Sequence, residues 1–281
     1  NLSVSEAEVL LRTALDEGIN FFDHADIYGD GICESIFAKA LPLHVVSREK
    51  IFIQSKCGIR KGYFDFSKKH ILESVDGILE RLKTEYLDVL LLHRPDALME
   101  PEEVAEAFDL LQTSGKVRHF GVSNFNPMQI ELLQKHTPVK LSVNQLQLSI
   151  AHTPMIDSGL TVNMHVRQSV NREGSILDYC RLHDLTIQAW SPFQKGFFDG
   201  PFLGDTEYAE LNAVVDRLAA KYGVTPSAVA VGWITRHPAR IQVILGTTQP
   251  QRVVESCRGS ALPLTREEWY AIYTAAGNIV P

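Results

Sequence analysis

A chain of 281 residues with 45% hydrophobic content can bury one large core, and a length of this order is commonly a single domain when the fold is a barrel. A net charge of -7 at pH 7 argues against a nucleic-acid surface or an anionic membrane, because phosphate binding wants clustered Lys and Arg. Small molecules are the expected partners.

The four cysteines, Cys33, Cys57, Cys180 and Cys257, lie far apart with no CxxC, so neither a disulfide framework nor a thiolate zinc site is suggested. A reducing cytoplasm is the simplest setting. No apolar run reaches the roughly 20 residues of a membrane span, and the opening Asn1-Leu-Ser-Val-Ser has no export signal.

Residues 3–17 carry Ser3-x-x-Glu6 ahead of apolar Ala7, Leu10, Leu11, Ala14 and Leu15, the pattern of a capped amphipathic helix stopped by Gly18. After it come apolar runs at 19–25, 51–56, 87–93, 117–124, 141–148, 185–191 and 241–247. They lack clean alternation, as expected of parallel strands buried on both faces. Helical patterns separate them at 71–82, 101–114, 127–136, 175–183, 208–222 and 226–237, while the polar stretch 152–173 reads as an extended rim loop. Repeating strand-helix units with no linker predict one domain over 1–281: an α/β, (β/α)8 TIM barrel whose first strand precedes Asn1. The rival is a doubly wound open sheet, but no G-x-G-x-x-G follows any strand.

Barrel enzymes place their chemistry at the C-terminal ends of the strands. Here the runs end with Asp23 to Tyr28, Lys56, His93, Ser123-Asn124, Gln145, Trp190-Ser191 and Thr247-Thr248. Singly, each has an ordinary structural explanation: Lys56 can reach solvent, His93 can be a satisfied core histidine, Asn124 can cap a helix. Together they give one face of the barrel a polar set. Tyr28 is a proton donor whose ordinary pKa of about 10 is too high for ready exchange at neutral pH. A nearby Lys56 ammonium would favour the phenolate, Asp23 would hold that ammonium, and His93 offers a hydrogen bond to a substrate oxygen. No metal is expected, since there is no HxH or HExxH pair, and the absence of G-x-S-x-G weakens a hydrolase reading. Cys57 should face away from Lys56 and be an inert packed thiol.

The ordered segments Gly18-Ile-Asn-Phe-Phe-Asp23-His-Ala-Asp-Ile-Tyr28-Gly29, Gln54-Ser-Lys56-Cys-Gly58, Asp88-Val-Leu-Leu-Leu-His93-Arg-Pro-Asp96, Gly115-Lys-Val-Arg-His-Phe-Gly-Val-Ser-Asn124-Phe125, Asn144-Gln145, Ala189-Trp-Ser-Pro-Phe193 and Gly246-Thr-Thr248 with Arg252 resemble the aldo-keto reductases over essentially the whole chain. The branch it most resembles is the bacterial one known largely as oxidoreductases. The resemblance implies a catalytic tetrad at Asp23, Tyr28, Lys56 and His93, and a nicotinamide cofactor held without a Rossmann fold. It places Ser123, Asn124 and Gln145 on the carboxamide and Trp190 against the nicotinamide ring. Ser191, Phe193, Thr247 and Thr248 fall on the phosphate and ribose path, Gly246 among the cofactor contacts, Arg252 at a ribose 2'-phosphate, and Glu255 near the adenine. Arg252 favours NADPH over NADH, although many members carry lysine where Gly246 stands and asparagine where Ser256 stands.

The expected activity is NADPH-dependent reduction of aldehydes or ketones to alcohols by a cytoplasmic, metal-independent enzyme, with a monomer as the default state. The alternative is a redox sensor or regulatory subunit that binds the cofactor with little turnover. Such a module needs only the cofactor residues, so four intact tetrad positions favour the enzyme. Tyr63, Phe64, Trp190, Phe197 and Phe198 are the aromatics expected near a partly apolar substrate pocket.

Overall fold

Ser3 starts the first helix, α1 (Val4–Asp16), through a capping box: the Glu6 backbone N–H donates to the Ser3 hydroxyl, and the Ser3 N–H donates to the Glu6 carboxylate at 2.8 Å. Gly18, at φ 82°, then turns the chain toward the sheet. The computed structural model describes residues 2–41, 47–197 and 199–280. Phe198, one of the expected rim aromatics, and the terminal Pro281 lie outside the described residues. Two compact units are distinguished, Asn1–Asn144 and Gln145–Pro281.

In the first unit α1 is followed by β1 (Phe21–Asp23), α2 (Ile32–Ala40), β2 (Phe52–Cys57), β3 (Ile59–Arg60), β4 (Tyr63–Phe64), α3 (Lys68–Leu82), β5 (Leu87–Leu92), α4 (Pro101–Thr113), β6 (Val117–Ser123) and α5 (Pro127–His136). β7 (Leu141–Gln147) begins in this unit. Strands β1, β2, β5 and β6 pair in that order, all parallel, with Asp23 opposite Gln54 and Lys56 opposite Leu91. Every residue of β5 is buried, as a parallel strand covered on both faces requires. Gly121 in β6 has no room for a side chain: a Cβ there would lie 2.7 Å from the Val143 carbonyl oxygen and 2.7 Å from Leu91 Cδ2.

The second unit holds α6 (Pro154–Leu160), α7 (Ile176–Leu182), β8 (Thr186–Trp190), α8 (Ala209–Tyr222), α9 (Pro226–Thr235), β9 (Gln242–Val243), α10 (Pro250–Cys257) and α11 (Arg266–Ala275), and β8 pairs parallel with β9. Its core contains Trp233 and Trp269, stacked at 4.8 Å and 9°. Each indole N–H donates to the other residue's backbone carbonyl, at 3.1 and 2.9 Å, so burying both rings leaves no donor unmet.

The expected run 19–25 narrows to β1, but the ladder outlasts the strand: the His24 N–H donates to the Gln54 carbonyl at 2.8 Å and the Asp26 N–H to the Lys56 carbonyl at 3.0 Å. The expected strand 241–247 is only Gln242–Val243, so Gly246, Thr247 and Thr248 lie in irregular chain. The stretch 152–173, expected as an extended loop, instead contains α6, with Pro154 in its first turn, and a 3-10 turn at Arg167–Ser169. Helix α2 was not anticipated because Gly31, at φ 84°, caps it with no side-chain hydrogen bond and a charged residue, Glu34, occupies its buried face. The β3–β4 hairpin, α6 and α11 are likewise additions to the expected elements.

Replacing Gly121 by Val is expected to lower stability by about 1–3 kcal/mol through overpacking against rigid backbone. Urea unfolding followed by circular dichroism measures it, and an unchanged midpoint would show that β6 and Val143 can separate at no cost.

Candidate active site

Lys56 needs partners to be buried at all: its side chain is 0% exposed, and a buried ammonium costs several kcal/mol unless it is paired and hydrogen-bonded. Its three donors find three acceptors. Nζ donates to Asp23 Oδ2 at 2.7 Å, to the His24 carbonyl at 2.9 Å and to the Tyr28 hydroxyl oxygen at 3.3 Å. It also lies 4.9 Å from the Tyr28 ring centroid. Burial acts to lower the Lys56 pKa, but Asp23 and the Tyr28 oxygen together outweigh it and hold the pKa above the ordinary lysine value. Lys56 therefore stays charged.

The strands set this geometry. Asp23 ends β1, Lys56 lies one residue before the end of β2, and His93 directly follows β5, so parallel pairing in register brings all three to one end of the sheet. The His93 N–H extends the ladder, donating to the Cys57 carbonyl at 3.0 Å. Tyr28 comes from the turn after β1, with its ring edge-on to His93 at 5.9 Å and 81°. Tyr28 is 39% exposed, so the group that meets solvent stands directly over the buried cation.

His93 is pushed down to about 3, first by burial and then by the Lys56 charge, which makes it a neutral imidazole at physiological pH. Its Nδ1 is buried with no hydrogen-bond partner among the described residues. His24, whose carbonyl serves Lys56, is held neutral by burial, at about 4, and packs edge-on against Phe37 at 4.5 Å. Cys57 is fully buried, and burial raises its thiol pKa well above the ordinary range, in line with the packed role expected for it.

One participant was missed in the sequence. Gln54 is fully buried, and its Nε2 donates to Asp23 Oδ1 at 2.5 Å, so both carboxylate oxygens are engaged. It stands two residues before Lys56 in β2, and the two-residue period of a strand puts positions 54 and 56 on one face. That spacing was the available signal.

Still in the first unit, Ser123 ends β6 and is buried, and Asn124 follows at φ 61°, its Nδ2 donating to the Ser123 hydroxyl at 2.8 Å. In the second unit, Gln145 Nε2 donates to Gln188 Oε1 at 3.0 Å, and Gln188 Nε2 to Gln242 Oε1 at 2.9 Å, an amide ladder across the strands. Trp190 ends β8 and meets Phe197 edge-on at 6.2 Å. Ser191 follows at φ 53°, and the Phe193 carbonyl accepts from the Phe202 N–H at 3.0 Å. Gly246 and Thr248 are exposed, and the Thr247 hydroxyl accepts from the Gln249 N–H at 3.1 Å. Arg252 is exposed in the first turn of α10, whose cap, Gln249, makes no side-chain hydrogen bond. Glu255 accepts from Gln251 at 3.1 Å, and the Ser256 hydroxyl is buried without a partner among the described residues. An exposed guanidinium without an ion-pair partner among the described residues, at a helix start with no side-chain cap, fits an anionic group such as a phosphate.

A family model described as "Aldo/keto reductase family" matches residues 1–276. The chain belongs to the aldo/keto reductase family. Among its relatives, the protein named uncharacterized oxidoreductase YcsN of Bacillus subtilis is 36% identical, with 98% of this chain and 89% of the relative covered. A 6-dehydroglucose reductase of Agrobacterium fabrum is 33% identical over 98% of this chain and 89% of its own. A crystal structure of an aldo-keto reductase from Klebsiella pneumoniae in complex with NADPH superposes with a TM-score of 0.77 at 22% identity, covering 98% of this chain and 86% of that one. The fold class is α/β, the (β/α)8 barrel of this family, and the chain is an oxidoreductase of the aldo-keto reductase type, acting on carbonyl compounds. Among the described residues no helix is long and apolar enough to cross a membrane.

Asp26 shows how the site is tuned by burial. Its carboxyl is pushed up to about 6, first by burial and then by Glu34, with Arg81 and Arg60 opposing. Because the folded pKa lies above the unfolded one, the folded state holds its proton more tightly, so the parent loses stability as pH rises from about 4 to about 6 and the cost stays constant above that. Asp26→Asn removes the titration. The difference in urea midpoint, variant minus parent, is expected to grow between pH 4.5 and pH 7.5; a pH-independent difference would mean that Asp26 ionises freely.

Proposed function

We propose that the protein reduces an aldehyde or ketone to the alcohol with NADPH, with Tyr28 as the proton donor. The observation that carries this reading is the hydrogen-bonded chain from Asp23 through Lys56 to Tyr28, with the neutral His93 edge-on to the same phenol. A fully satisfied ammonium serves little purpose beneath an exposed tyrosine except to bias the charge on that oxygen.

When bound, NADPH supplies the hydride. The exposed Arg252 guanidinium and the uncapped start of α10 support a 2'-phosphate at that point of the second unit, and so favour NADPH over NADH. The contacts assigned by family resemblance to Ser123, Asn124, Gln145, Trp190, Ser191, Phe193, Gly246, Thr247, Thr248 and Glu255 belong to the same proposal. The crystallised Klebsiella reductase, with NADPH bound, supports the cofactor class.

The chain's own residues account for the proton. The Tyr28 hydroxyl and the His93 imidazole donate to the carbonyl oxygen and so meet negative charge where it develops. Tyr28 then passes its proton to the alkoxide, and the Lys56 ammonium, at 3.3 Å, stabilises the phenolate left behind. Asp23, itself braced by Gln54, holds the ammonium in place beside that phenolate. A neutral His93 has no proton to lose in the working pH range, so it orients the carbonyl and Tyr28 supplies the acid.

Tyr28→Phe is expected to lower kcat for NADPH oxidation with nitrobenzaldehyde by about 10²–10⁴-fold while leaving the NADPH dissociation constant within about twofold. Absorbance at the reduced-nicotinamide band and fluorescence titration measure the two. Turnover that survives in Tyr28→Phe refutes the acid assignment, and NADPH that binds without being consumed by any carbonyl points to a sensor.

A further inference from the structure

Glu34 is fully buried in the first turn of α2, and the proton-transfer chain described above does not touch it. Its two oxygens are engaged separately. The Ser55 hydroxyl donates to Oε1 at 2.7 Å, and Arg81 Nε donates to Oε2 at 2.7 Å. Ser55 is the residue before Lys56 in β2, and Arg81 lies in the last turn of α3. The carboxylate thus ties a helix, a strand and a second helix to one point.

The passage for the Arg81 side chain is cleared by two glycines. A Cβ on Gly31 would fall 2.7 Å from Arg81 Cδ and Nε, and one on Gly77 would fall 2.9 Å from Nη1. Gly31 also sits at φ 84° as the cap of α2, so the residue that lets Arg81 in is the one that starts the helix. A general surface ion pair would need none of this.

What the tie holds is the turn that carries Tyr28. Residues 27–30 are exposed, and Gly29, Asp30 and Gly31 all have left-handed backbone. The turn is fastened at one end by the Asp26 N–H on the Lys56 carbonyl, at 3.0 Å. At the other end the first turn of α2 holds it: the Cys33 N–H donates to the Tyr28 carbonyl at 3.3 Å and the Ile32 N–H to the Gly29 carbonyl at 3.0 Å. The second fastening is only as firm as α2 itself. Because Glu34 bonds to the neighbour of Lys56, the place of α2 is referred to the same strand that positions the cation.

We propose that Glu34, through Ser55 and Arg81, is a positioning residue that fixes the Tyr28 turn against β2 and so sets the contact between Tyr28 and Lys56 used in proton donation. The proposal rests on the reading of Tyr28 as the proton donor. The charged and titratable groups around Glu34 are Arg81 from α3, Lys56 from β2 and Asp26 from the β1–α2 turn; burial raises the Glu34 pKa against the pull of its Ser55 and Arg81 partners. Glu34→Gln keeps the shape of the side chain and one acceptor but gives up the charge that Arg81 answers.

The test compares Glu34→Gln and Ser55→Ala with the parent, using nitrobenzaldehyde and NADPH. A merely structural pair would lower the melting temperature and leave the chemistry alone. A positioning pair lowers kcat and kcat/KM for the aldehyde together, by about tenfold or more in Glu34→Gln and less in Ser55→Ala. It also raises the solvent deuterium isotope effect on kcat and changes the alkaline limb of the pH profile, with NADPH affinity within about twofold. If Glu34→Gln does not fold, Ser55→Ala carries the same test from the strand side. A ring-labelled tyrosine resonance, assigned to Tyr28 by its absence in Tyr28→Phe, gives a readout that needs no turnover. Movement of that resonance in both variants supports the tie even if the parent proves inactive and the catalytic reading falls. An unmoved resonance with unchanged kcat and isotope effect overturns the proposal.

Discussion

The site depends on one demand: the ammonium of Lys56, sealed from water, must be given acceptors for all three of its protons. Asp23, the His24 carbonyl and the Tyr28 oxygen meet it, and each comes from a different step of the same short stretch of chain. A cation placed this way is not adjustable. Remove the carboxylate and the charge is stranded; move the phenol and a donor is left unmet. The register of β1 against β2 and of β2 against β5 then follows as a requirement, because a slip of one residue would send Lys56 to the opposite face.

Around that fixed point the polar groups differ in how far burial has altered them. His93 and His24 are kept neutral and Asp26 is made reluctant to ionise, while Lys56 is kept charged by its partners. Burial alone would discharge all four. The contrast between the lysine and the histidines is set by Asp23, which lies close enough to the ammonium to hydrogen-bond it and is itself braced by Gln54. Opposed protonation states a few residues apart are what a proton-donating site needs.

Much of this was legible in the sequence. Ser3 and Glu6 announced α1, the helical pattern at 127–136 announced α5, and the polar ends of the apolar runs at Asp23, Lys56 and His93 marked residues that the parallel sheet does bring together. What escaped notice was held by interactions between distant positions. Helix α2 has no side-chain cap and carries a buried charge, so its pattern is intelligible only once Arg81 and Ser55 are beside Glu34. Gln54 was hidden for a similar reason: an amide within an apolar strand gains its meaning from Asp23. The last strand was read too long because its apolar run continues to Leu245, whereas regular pairing is confined to Gln242–Val243, with one further bond from the Ile244 N–H to the Ala189 carbonyl at 2.9 Å.

The stacked pair of Trp233 and Trp269 has a consequence outside catalysis. The chain has three tryptophans, and these two lie nearly parallel at 4.8 Å, close enough for their excited states to couple. Coupling of their strong indole bands should therefore add a far-ultraviolet dichroism feature that is lost when α9 and α11 come apart. The third, Trp190, is half-buried at the end of β8 and is the most exposed of the three, so it is the one whose emission solvent or a ligand can reach. Dichroism and fluorescence thus follow two separate places in the second unit without any introduced label.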